Sequence, residues 1–218
     1  MQALPIILAL LQQIQEISSL SIPELEIRIR LSQSKFFFFI FPLKENNRKI
    51  YAQVPQFSCI ATNSIENAFA TGSEKGEIRL YKEVGQNAKT LFPGLGDPII
   101  GLDSTMDAQW LLATTKTYIM LIQTIIDGKS GYKQSISKDR RTPFKLTILP
   151  QDMKRYRIRE LNFQPAKFND NENTSERFII ASTGEFLVTW SLKHVLRGHV
   201  DRYEVFLFLL RERLIVVD

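Results

Sequence analysis

A chain of 218 residues that is 44% hydrophobic and 23% charged has the content of a folded globular protein, since a disordered chain of this length carries fewer Ile, Leu and Phe. A net charge of +5 and a pI near 9.3 permit an anionic partner without requiring one. The single cysteine, Cys59, excludes an internal disulfide and favours a reducing, cytoplasmic setting.

The N-terminal run Leu4–Leu11 is nearly all apolar, but no Lys or Arg precedes it and Gln12, Gln13 and Glu16 follow. That pattern reads as an amphipathic helix from about Pro5 to Leu20, with Ile6, Leu10, Ile14 and Ile17 on one face, rather than a signal segment. Residues 1–22 are therefore expected to form a short helical segment. Next, Leu25, Ile27, Ile29 and Leu31 alternate with Glu26, Arg28 and Arg30 as a half-buried strand does. The uncharged run Phe36–Phe41 suits a fully buried strand ended by Pro42. Residues 23–55 thus read as a strand pair, either a remnant blade or a cap. No run approaches the ~18 apolar residues of a membrane-spanning helix.

From residue 56 a repeat emerges. Phe69–Ser73 and Glu77–Tyr81 flank a turn at Glu74-Lys75-Gly76. Trp110–Thr115 and Tyr118–Ile122 flank Lys116-Thr117. Phe178–Thr183 and Phe186–Trp190 flank Gly184-Glu185. Each is a hairpin with Ala (Ala70, Ala113, Ala181) ahead of a Ser/Thr cluster at the turn. The first two alanines stand one propeller period of about 40–45 residues apart, and the third lies roughly 25 residues further on than a second period. The surplus is a basic insertion at 127–159; between Lys129 and Arg159 the ten basic residues Lys129, Lys133, Lys138, Arg140, Arg141, Lys145, Lys154, Arg155, Arg157 and Arg159 face only Asp139 and Asp152. Flanking strands are expected at Phe57–Thr62, Ile99–Asp103 and Leu161–Phe168 before the hairpins, and at Ala88–Phe92 and Arg202–Phe206 after the first and third. Four short strands per repeat is the plan of a β-propeller blade, whose two apolar faces need stacked neighbours. The expected fold is all-β: a partial WD40-like propeller of three to four blades over 56–218. An open arc of this kind is expected to leave two blade faces uncovered. Cys59, inside the apolar run Phe57–Ala61, is expected to be a buried, unreactive thiol.

The stretch from Asn87 to Gly101, with Pro93-Gly94-Leu95-Gly96-Asp97-Pro98 at its centre, extends the pattern to a family. So do Phe57–Thr62, Ala70–Tyr81, Trp110–Thr114, Phe163–Asn169, Thr189-Trp190 and Val195–Gly198. Together these resemble the C-terminal WD40-like domain of the vacuolar import and degradation protein twenty-seven family. Lys82 stands where that family usually has an acidic residue, and Ala108 where it usually has Gly, which weakens the local turns. The resemblance implies a non-catalytic interaction scaffold or adaptor in a protein-turnover setting. A truncated, non-functional relative is an alternative.

The residues themselves offer no catalytic set. His194 and His199 have no third metal ligand beyond a recruited Asp201. Gly94-x-Gly96 lacks the third Gly and the Lys of a phosphate loop. No cofactor, metal or enzymatic activity is expected. Rigid sheets hold connecting loops in place for recognition, so Glu74, Lys75 and Gly76 with Gly94, Leu95, Gly96 and Asp97 are the expected contacts of an unidentified protein partner, with another chain completing the propeller among the candidates. The alternative is an anionic surface, RNA or acidic lipid, met by Lys138, Arg140, Arg141, Lys154, Arg155, Arg157 and Arg159; nucleic acid and membrane rank below a protein partner.

Overall fold

Among the described residues, three antiparallel meanders account for nearly all the regular structure. The first sheet runs β1 (Phe57–Asn63), β2 (Ala68–Ser73), β3 (Ile78–Tyr81), β4 (Thr90–Phe92), in that order. The second takes β5 (Gly101–Ser104), β6 (Trp110–Thr114) and β7 (Ile119–Gln123). A small hairpin, β8 (Ile125–Ile126) and β9 (Lys129–Ser130), intervenes before its outer strand β10 (Phe144–Leu146). The third is five-stranded: β11 (Lys167–Asn169), β12 (Phe178–Thr183), β13 (Phe186–Ser191), β14 (Tyr203–Leu209) and β15 (Arg213–Val216). Helix α1 (Pro150–Arg155) lies between β10 and β11, and α2 (Leu192–Leu196) follows β13. The computed structural model describes residues 55–83, 85–138, 141–169, 177–209 and 213–216. The expected N-terminal helix, the strands expected within 23–55, and Arg140 lie outside them.

Ala113 and Ala181 occupy matching places in the second strands of their sheets, each facing the preceding sheet, whereas Ala70 faces the following sheet and shares a core with Ala113 itself. Ala70 sits opposite Ala61 and Leu80, Ala113 opposite Leu102 and Met120, and Ala181 opposite Val188. All three are buried.

The second sheet is packed on both faces, which explains why β6 and β7 read as unbroken apolar runs rather than alternating ones. Leu111, Ala113, Met120 and Ile122 enter one core with Ala70, Ile78, Leu80 and Phe92 of the first sheet. Their sequence neighbours Leu112, Ile119 and Leu121 point the other way, into a core with Ile179, Ala181, Val188 and Trp190 of the third. The first strands lie side by side, β1 against β5 and β5 against β11. The outward faces of the end sheets differ from expectation: Thr71 and Tyr81 on the first, and Ile180, Leu187 and Phe206 on the third, are all buried.

Two strands start later than expected because their amides are used elsewhere. Ile99 donates its N–H to Ser73 O of the first sheet (3.1 Å), and Ile100 donates to Thr114 O of the second (2.8 Å). At the next junction Phe163 donates to Lys116 O of the second sheet (2.8 Å) and Gln164 to Ser182 O of the third (2.9 Å). Thr114 and Ser182 each follow the matching alanine, so successive connections make the same stitch between sheets. β5 therefore begins at Gly101 and β11 at Lys167. The 127–159 stretch is not one loop: it contains β9, β10 and α1.

Candidate interaction surface

The turn between β2 and β3 is built on Ser73. Its carbonyl accepts the Gly76 N–H (2.9 Å) and its Oγ accepts the Glu77 N–H (3.0 Å). Gly76 closes the turn at φ +80°, a conformation that a Cβ disfavours. The connection from β4 to β5 folds directly onto it. A Cβ on Gly76 would stand 2.7 Å from Asp97 O, and one on Gly94 would stand 2.9 Å from Gly76 C and 3.0 Å from Glu77 N, overlapping Lys75 O outright. The two segments singled out from the sequence, Glu74–Gly76 and Gly94–Asp97, are thus one junction with backbone against backbone.

That packing pushes side chains outward. Leu95 is 68% exposed at the tip, with Glu74, Lys75, Gly96 and Asp97 exposed around it. Asp97 is also held from the second sheet, by a hydrogen bond with the Tyr118 hydroxyl. Burial, and then this carboxylate, push that phenol up to about 12. The Lys145 ammonium sits 4.3 Å from the centre of the Tyr118 ring. Sequence reasoning missed Ser73, Tyr118 and Lys145. Tyr118 was visible only as a strand residue, and nothing local says that it meets Asp97 across two sheets. The arrangement offers a fixed apolar knob ringed by both charges, suited to gripping a peptide or protein surface. It contains no nucleophile–base pair.

The basic residues separate into two groups. Lys129, Lys133, Lys138 and Arg141 lie between β7 and β10; Lys154, Arg155, Arg157 and Arg159 lie between β10 and β11. Because β10 is antiparallel to β7, its two flanking connections leave the sheet at opposite ends. In the first group Lys133 pairs with Glu66 (2.9 Å) and Arg141 lies 3.9 Å from Asp127. Nearby at that end, Asp107 binds Arg177 (2.7 Å), Thr105 Oγ1 (2.6 Å) and the Gln109 N–H (3.0 Å). Burial works to raise the Asp107 carboxyl, but these donors outweigh it and hold it below 3.8. Asp103 accepts the Phe168 N–H (2.8 Å) and pairs with Lys167 (3.1 Å), tying β5 to β11.

Cys59 is half-buried rather than buried. β1 is an edge strand of its sheet, and its middle residues keep some exposure. Burial still pushes the thiol up. His194 lies in α2, and its carbonyl accepts the His199 N–H (3.0 Å). No three His, Cys, Asp or Glu side chains gather as a metal site among the described residues. None of their helices is long and apolar enough to cross a membrane.

Residues 30–209 match the family model described as the VID27 C-terminal WD40-like domain. The chain is 40% identical over 185 residues to vacuolar import and degradation protein 27 of Schizosaccharomyces pombe (strain 972 / ATCC 24843), covering 77% of this chain and 23% of that protein. It is 34% identical over 157 residues to the protein of the same name from Saccharomyces cerevisiae (strain ATCC 204508 / S288c), covering 68% of this chain and 20% of that one. It therefore spans less than a quarter of the length of these curated relatives. Among solved structures, the RRP9 WD40 repeats align at 11% identity with a TM-score of 0.48, over 75% of this chain and 42% of theirs. The Dos1 propeller aligns at 13% identity with a TM-score of 0.46, over 66% of this chain and 48% of its own.

Proposed function

The chain belongs to the vacuolar import and degradation protein 27 family, through its C-terminal WD40-like domain, and on that premise we propose that it is a non-catalytic interaction scaffold of the vacuolar import and degradation type. Its three sheets are three blades of a propeller arc. A closed ring needs about four to eight blades, so the remainder comes from outside the described residues or from another chain.

One observation carries the reading. The interlocked turn and connection hold Leu95 in solvent on a backbone that cannot yield, because Gly76 and Gly94 meet without room for a side chain. A solvent-facing leucine on a rigid support gains free energy when a partner covers it, with little ordering cost. Leu95, Glu74, Lys75 and Asp97 are the partner contacts.

The test is comparative co-purification from native cells, with wild type set against Leu95→Asp and against Ile65→Asp, an equally exposed apolar residue in the β1–β2 turn at the other end of the sheet. Leu95→Asp should lose partners that Ile65→Asp keeps. Identical partner sets from all three proteins would remove this surface from consideration.

A further inference from the structure

Both helices of the described chain end in the same hydrogen-bonded cap. In α2, Gly198 donates to Val195 O (2.8 Å) and His199 to His194 O (3.0 Å), with Gly198 at φ +90°. In α1, Arg157 donates to Lys154 O (3.3 Å) and Ile158 to Met153 O (2.8 Å), with Arg157 at φ +57°. This is the paired cap whose left-handed position is normally glycine. The first helix places an arginine in the conformation that the second reserves for glycine.

The strained arginine is not isolated. Lys154, Arg155, Arg157 and Arg159 are all exposed. Among the described residues none of them forms an ion pair, whereas Lys133, Lys167 and Arg177 elsewhere each have an acidic partner. Asp152, the acid in this helix, is engaged by the Tyr203 hydroxyl. Cations at a helix C-terminus complement its dipole, which accounts for Lys154 and Arg155. It does not account for an arginine at a left-handed position, nor for Arg159 beyond it. The scaffold under them is firm: Met153, Tyr156 and Ile158 pack on the core between the second and third sheets. The Arg155 guanidinium lies 5.7 Å from the Tyr156 ring centre. Strain retained on a rigid support is a mark of function.

We propose that Lys154, Arg155, Arg157 and Arg159 form a docking surface for an acidic, carboxylate-rich protein segment. Guanidinium groups suit carboxylates because they bind them in pairs of parallel hydrogen bonds. Two features select protein over other polyanions. The aromatic ring in the cluster, Tyr156, packs against Phe186 (6.1 Å) and so is not offered for base stacking. Among the described residues the exposed large apolar ones are Phe57, Ile65, Leu91, Leu95, Met106 and Leu196, and none of these lies in this connection to enter a bilayer. The four residues include none of the contacts assigned to the Leu95 junction, and this inference goes beyond the interaction role proposed there.

The test uses the full 218-residue chain and three probes: a fluorescein-labelled oligoglutamate peptide, an oligouridylate RNA, and phosphatidylcholine vesicles containing phosphatidylserine. Oligoglutamate should bind, and more weakly as salt rises. Arg157→Gly should weaken it about threefold to fivefold while raising the urea midpoint, because glycine relieves the strained cap. Lys193→Gln, which removes one exposed charge from α2, should leave binding unchanged. The proposal is overturned if Arg157→Gly binds oligoglutamate like wild type, if oligoglutamate does not bind, or if RNA or vesicles bind more tightly through the same arginines.

Discussion

Replacing Gly94 with alanine should be among the most damaging single-methyl additions in the protein, and the structure says why. Gly94 is not at positive φ, so alanine suits its backbone and the whole penalty is steric. The new Cβ overlaps Lys75 O and stands 2.9 Å from Gly76 C. These are backbone atoms, which cannot swing away as a side-chain tip does. The turn and the connection must part by roughly 1 Å to restore ordinary contact, and overpacking of this kind costs about 1–3 kcal/mol. Parting them also stretches the Ile99 N–H to Ser73 O bond (3.1 Å), worth about 1 kcal/mol. The expected loss is therefore about 2–4 kcal/mol. Gly96→Ala is the control. It sits at φ +98° with nothing within 4 Å of a Cβ, so it suffers strain alone, about 1–2 kcal/mol. Gly76→Ala combines both penalties and should exceed either. Urea unfolding followed by far-ultraviolet circular dichroism measures all three, with the slopes compared to confirm a common unfolding transition. The double variant Gly76→Ala/Gly94→Ala should cost less than its parts together by about 1 kcal/mol or more, since one separation accommodates both methyls. A Gly94→Ala loss smaller than that of Gly96→Ala, or additive behaviour in the double variant, would refute the interlocked junction.

Other outcomes follow from the packing and the charges. Leu111→Ala and Leu112→Ala remove adjacent, fully buried side chains that enter different cores. Each should cost about 2–5 kcal/mol in urea unfolding, and a near-neutral result at either would mean that the second sheet is not packed on both faces. Ala108 is fully buried at φ +56°. Ala108→Gly should change stability by less than about 0.5 kcal/mol, because relief of about 1–2 kcal/mol of strain offsets about 0.8 kcal/mol of lost methyl burial and about 0.5–1 kcal/mol of added chain entropy; a loss above about 1.5 kcal/mol would contradict the strained assignment. Asp107 is held below its ordinary 3.8. Its stabilising contribution is complete above that value and disappears as pH falls through the lower folded one. Thermal melts across that acid range should show wild type losing more stability than Asp107→Asn, and parallel profiles would count against the Arg177 and Thr105 contacts.

Much of the fold could be read from local pattern. The three hairpins, the alanine ahead of each turn and the glycines at Gly76 and Gly184 are matters of period and turn chemistry, and these are set by neighbours in the chain. Strand starts were read too early at Ile99 and Leu161, because apolar character runs through Ile99 and Phe163, whose amides bond the preceding sheet instead of their own. β15 was not foreseen at all.

The amino-acid order alone determined that sheets of this kind recur, and that their two-faced apolarity demands stacked neighbours. It also placed the candidate contacts at Glu74–Gly76 and Gly94–Asp97. Only the tertiary structure decided that these two segments touch, that Tyr118 and Lys145 join them, and that the basic stretch divides around β10 into two groups at opposite ends of a sheet. The physical reason is one of range. Turn preference and side-chain period act over a few residues, whereas a methyl-sized clearance or an ion pair between sheets depends on distances set only once every strand has found its partner.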